Sequence, residues 1–137
     1  MNTTNNEVEY IKYNDDIIAI IIPASFEKPG LHFFSPNSFS QQLAYMRHPE
    51  NYKICPHIHN LQFREINFTL ETLFIRKGKV KIDFFNENKE FITDRVLSSG
   101  DVILLASGGH GFTFIEPTDI IEVKQGPYVE GCDKIKF

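Results

Sequence analysis

Short apolar runs, each cut off by Gly, Pro, Asn or Asp, recur along the whole of this chain. That punctuation predicts an all-β protein, a barrel or a sandwich of short antiparallel strands. Strands are expected over 7–13, 17–22, 31–34, 69–76, 79–85, 90–97, 102–105 and 120–125. The run 17–22 is almost wholly β-branched, the mark of a strand covered on both faces. In 69–76 the alternation places Glu71, Leu73 and Ile75 on the inner face, and in 79–85 Val80, Ile82 and Phe84. For 120–125 two inward rows are open, Ile121, Val123 and Gln125 or Ile120, Glu122 and Lys124, and the apolar row is expected to win. Residues 38–48 read both ways, since Phe39, Leu43 and Met46 recur at helical spacing while Gln41, Leu43 and Tyr45 alternate.

At 137 residues the chain has room for a single domain, 1–137, with 1–6 frayed and 126–137 a tail that covers a sheet edge or crosses to a partner. Thirteen phenylalanines and no tryptophan are enough aromatic bulk to fill a small barrel. The net charge of -4 argues against a nucleic-acid partner, because phosphate neutralisation needs clustered Lys and Arg. No apolar run approaches the length of a membrane span, and no secretory leader is visible. Cys55 and Cys132 are too few for a disulfide framework, so the expected location is the cytoplasm.

Chemistry concentrates at Pro56-His57-Ile58-His59-Asn60. In an extended chain His57 and His59 share a face, and two imidazoles there begin a metal site. Cys55 lies on the same face, as a further ligand or as a small buried hydrophobe. Glu71 and His110 supply a carboxylate and a third imidazole from other strand-like runs. His110 shares its face with Phe112 and Phe114, an apolar wall beside the site or ordinary core. His32 and His48 have no partner at ligand spacing and read as surface or hydrogen-bonded histidines. Arg64, in the segment after the two histidines, is a candidate for an anionic group or a plain solvated arginine.

These residues resemble the cupin family. The matching positions are His57, His59, Glu71 and Gly78 in a first motif, and Gly100, Gly108 and His110 in a second. The resemblance implies an antiparallel double-stranded β-helix, a jelly-roll-like small barrel, and favours a strand within 38–48. It also implies that His57, His59, Glu71 and His110 bind one divalent transition metal, Zn, Fe, Ni or Mn. Eleven residues, 60–70, separate His59 from Glu71, more than cupins usually have, so Glu65 is an alternative carboxylate. Asn51 and Ala106 replace the usual Gly and Pro of the two motifs. The segments Gly108-Gly109-His110-Gly111-Phe112 and Glu122-Val123-Lys124-Gln125-Gly126-Pro127-Tyr128 resemble a small bacterial cupin group found beside sugar-nucleotide and surface-polysaccharide genes. That likeness implies a small-molecule ligand, a carbohydrate or sugar nucleotide, and an isomerase- or epimerase-like reaction. A non-catalytic sensing cupin and an iron-dependent oxygenase are the other readings. Cupins commonly pair, so a homodimer is expected, with Phe74, Phe85 and Phe91 as its apolar face.

Overall fold

The computed structural model describes residues 6–137 of the chain. The frayed segment expected at 1–6 therefore falls, but for Asn6, outside the described residues. Among the described residues there is no helix, and ten strands form three antiparallel sheets. The strands are β1 (Glu9–Tyr13), β2 (Asp16–Ile22), β3 (Gly30–Phe33), β4 (Ala44–Arg47), β5 (Glu71–Lys77), β6 (Lys79–Phe85), β7 (Phe91–Ser98), β8 (Val102–Leu105), β9 (Gly109–Phe114) and β10 (Asp119–Lys124). The chain divides into two compact units, one made of the residues up to Phe26 with Thr69–Phe137, the other of Glu27–Phe68.

The larger unit is built from two sheets. One has the order β1-β2-β8-β5-β10, the other β7-β6-β9. Their inner faces form a single core. Ala19, Ile21, Leu73, Ile75, Ile103 and Leu105 of the first sheet join Val80, Ile82, Phe84 and Leu97 of the second. The alternation read from the sequence in β5 and β6 is therefore the alternation observed. Residues 18–22 of β2 are all buried, as the β-branched run predicts for a strand covered on both faces. The β5–β6 turn depends on Gly78, whose φ of 94° suits glycine and whose missing side chain leaves room for the Pro117 carbonyl and Thr118. Asp101 ties the turn before β8 together: its carboxylate accepts from the Ser98 amide at 2.9 Å and from the Ala24 amide at 2.8 Å.

The smaller unit holds the hairpin of β3 and β4. Ser35 is its buried polar centre, its hydroxyl accepting from the Leu43 amide at 2.7 Å and from the Gln42 side chain at 3.0 Å. Of the ambiguous stretch 38–48 only β4 is a strand. Residues 38–41 form turns and bends, so neither the helical nor the longer extended reading describes them. None of residues 53–68 lies in a strand, and all of them are exposed. The strand expected around His57 and His59 is thus not observed: neither residue lies in a strand among the described residues.

Candidate metal and acid–base site

Two strands from different sheets bring Glu71 and His110 together. Glu71 opens β5 on the face of Leu73 and Ile75, and His110 lies opposite Phe84 in the β6–β9 register, on the core side of its sheet. At this end of the core the two side chains meet, with His110 Nε2 3.2 Å from Glu71 Oε2. The hydrogen bond from His110, opposed by burial and helped by the nearby positive charge of Lys124, lowers the Glu71 carboxyl to about 2.

Lys124 is the third member. In the β5–β10 register it lies opposite Glu71, and its ammonium is 3.5 Å from Glu71 Oε1, 3.3 Å from Glu122 and 3.8 Å from Asp133. The Tyr128 ring lies 5.1 Å from the same ammonium. Burial disfavours the charge on Lys124, yet Glu122, Glu71 and Asp133 outweigh it and hold the group above the ordinary lysine range. This arrangement corrects the expected orientation of the last strand. A register shift between Asp119 and Ile120 puts Ile120, Glu122 and Lys124 on the core side, and Ile121 and Val123 face outward and are exposed. Charge pairing with Glu71 decides the matter against hydropathy. Glu122 and Lys124 were legible as one alternating row. Asp133 and Tyr128 left no signal, because they arrive from a tail that folds back.

That tail also packs Phe137 against Phe85, ring centroids 5.1 Å apart, so Phe85 is drawn into an intrachain contact rather than left as a free apolar face. The ring of Phe137 occupies the space a side chain on Gly109 would need. One residue earlier, Gly108 has φ 73°, and the Phe85 carbonyl sits where its side chain would be. These two glycines set the bend that delivers His110.

The other two expected ligands are close to each other. The His57 and His59 rings are 5.2 Å apart, nearly perpendicular, and His57 Nδ1 lies 2.9 Å from the Cys55 carbonyl. A carbonyl only accepts, so Nδ1 carries the proton and Nε2 is left as the free donor atom, the arrangement found in metal-bound histidines. Cys55 is exposed, not a buried hydrophobe, and Glu65 and Arg64 are exposed as well. His32 is hydrogen-bonded to the Pro29 carbonyl at 2.7 Å and His48 stacks on Tyr52 at 4.0 Å, in line with their expected surface roles. Among the described residues no group of three or more His, Cys, Asp or Glu side chains is gathered as a metal set.

The chain matches no protein-family model, no curated protein and no solved structure. What the site can do rests on its own geometry. Two donors bound side by side to one ion, at about 2.1 Å each, stand about 3.0 Å apart. The Glu71 and His110 atoms are at 3.2 Å, a spacing that fits one ion. Around Lys124 the three carboxylates and one ammonium sum to a charge of about -2, which attracts a divalent cation and repels a phosphate.

The depressed Glu71 carboxyl has a stability consequence of definite sign. Its folded-state value, about 2, lies below the ordinary carboxylate value, so the stabilisation is complete at neutral pH and is lost as the pH falls from about 4.5 toward 2. Urea unfolding of the native chain and of Glu71→Gln from pH 7 to pH 2.5 is expected to show a gap of about 1–3 kcal/mol at neutral pH that closes on acidification. A gap independent of pH would show that the carboxylate is not held in its charged form.

Proposed function

We propose that this chain is a metal-binding cupin, a double-stranded β-helix that binds the carbonyl or hydroxyl end of a small polar molecule, a carbohydrate or sugar nucleotide, and moves a proton on it in an isomerase- or epimerase-like reaction. The observation that carries this reading is the Glu71–His110 pair at 3.2 Å on the core side of two facing sheets, beside a lysine ammonium. The residues proposed to hold the ion are Glu71 and His110 together with His57 and His59. A bound divalent ion supplies Lewis acidity, polarising an oxygen of the ligand. Lys124, kept protonated by its carboxylates, is positioned to donate hydrogen bonds to a ligand oxygen. Glu122 and Asp133 orient that ammonium. The net negative charge of the cluster favours the neutral sugar end of a sugar nucleotide over its phosphates.

No helix among the described residues is long and apolar enough to cross a membrane, and both cysteines are free thiols, which suits the reducing cytoplasm we propose as its location. Metal analysis of untagged protein by mass spectrometry, followed by titration with zinc, nickel, manganese and iron(II), tests the reading. About one ion per chain is expected. Protein that carries no ion and takes none up on titration overturns it. Retained iron would turn attention to dioxygen chemistry.

A further inference from the structure

We infer that residues 126–137 form a strap that runs from the end of β10 to the start of β9 across the meeting point of Glu71, His110 and Lys124, and that its release, by unseating Phe137, uncovers Lys124. That a carbohydrate then enters rests on the function proposed above; the release does not, and its test uses neither a metal nor a sugar.

The strap is fixed at its root and held by side chains beyond it. Gln125, just past β10, accepts a hydrogen bond from the Leu70 amide at 2.6 Å, one residue before Glu71. From there the chain touches the two sheets in turn. On the first, the Tyr128 ring and the Asp133 carboxylate lie 5.1 Å and 3.8 Å from the Lys124 ammonium. On the second, Phe137 packs against Phe85, the last residue of β6 and the register partner of Gly109, which precedes His110. One hold is thus beside Glu71 and the other beside His110. The chain that joins them spans the seam at which those two side chains meet.

Both holds are of a kind that lets go. Among the described residues the backbone hydrogen bonds of 126–137 are those of one turn, from the Cys132 and Asp133 amides to the Val129 carbonyl, and none ties the strap to a sheet. Segments held without a backbone ladder and by few contacts open at little cost in free energy. Phe137 is 62% exposed, and its ring meets Phe85 edge to face, with the Lys89 ammonium 5.8 Å away. Asp133 is too far from Lys124 for a hydrogen bond, so that pair adds only a weak attraction.

Lys124 is the group that release uncovers. Its ammonium has three donors, and Glu122 at 3.3 Å and Glu71 at 3.5 Å are the nearer carboxylates. Asp133 is the most distant of the three, and it alone is carried by the strap. Lifting the strap removes Asp133 and Tyr128 together, while Glu71 and Glu122, both on strands, keep the ammonium in place. A ligand oxygen then takes the position of the Asp133 carboxylate. Asp133 therefore orients Lys124 while the strap is down and yields its place when the strap lifts.

Trace labelling of Lys124 in the full chain, read by peptide mass spectrometry, tests this, with Lys81 of β6, paired to Asp83 at 3.2 Å, as the reference. Phe137→Ala removes the ring. Gly109→Ala fills its seat, since a methyl group there would stand 2.9 Å from the ring. Loss of one aromatic edge contact corresponds to about 2–10-fold in the open fraction, so each variant is expected to speed acetylation of Lys124 by acetic anhydride by that factor and to leave Lys81 unchanged. The gain is expected to be larger with a bulkier reagent, the N-hydroxysuccinimide ester of biotin. The double variant is expected to label no faster than the faster single one, because both changes act through one seat. Equal labelling of Lys124 in the native chain and both variants overturns the proposal, and so do effects of the two changes that multiply. A variant in which Lys81 rises as much as Lys124 has loosened as a whole, and the other variant then decides; such a rise in both overturns the strap. The expected labelling in protein that takes up no ion supports the strap and removes the metal reading alone.

Discussion

Replacing Glu71 with alanine is expected to weaken divalent-ion binding on the order of 100-fold or more, read by competition with a chromogenic chelator. Glu71 is the anionic donor proposed for the site, and its loss also takes away the group 3.2 Å from His110 Nε2 that orients the imidazole. The electrostatic change runs the same way, since removing one of three carboxylates around Lys124 raises the local charge by one. Glu65→Ala is the matched comparison. Glu65 is exposed and is the other carboxylate that the spacing from His59 leaves open. Glu65→Ala is expected to bind as the native chain does; a loss confined to Glu65→Ala would move the carboxylate ligand to that position.

Phe84→Ala is expected to cost about 3–5 kcal/mol in urea unfolding, a large share of the roughly 5–15 kcal/mol of an ordinary domain. Phe84 is the largest of the fully buried side chains and sits in the core that both sheets of the larger unit share. Truncating it removes a whole ring from a close-packed interior and leaves a cavity that β-sheet backbones close poorly. Its effect reaches the site as well, because Phe84 is the register partner of His110. A cost below about 1 kcal/mol would mean that the space between the sheets is not packed as described.

Most of the larger unit was legible because its signals are local. The alternation in β5 and β6 predicted those strands and their inner faces, the β-branched run predicted β2 as a strand covered on both faces, and Gly78 marked its turn, each signal acting within a few residues. What was not legible came from partners distant in sequence. The inward row of β10 is fixed by a register shift and by Glu71, more than forty residues away, and hydropathy alone points to the opposite row. Asp133 and Tyr128 meet Lys124 only because the tail folds back. His57 and His59 alternate in sequence as strand residues do, but a strand exists only with a neighbour, and neither residue is in a strand among the described residues. The same nonlocal dependence explains why 38–41, patterned equally for two structures, adopts neither.

The bend before His110 leaves the chain little freedom to drift. At most exposed positions a replacement meets only water, but at position 108 any side chain runs into the Phe85 carbonyl, and at 109 it must displace the ring of Phe137. Random mutagenesis scored for folded protein should therefore accept almost any residue in 53–68 while returning glycine at 108 and, less strictly, at 109. Descendants of this sequence would keep that pair of glycines long after the loops around them had become unrecognisable.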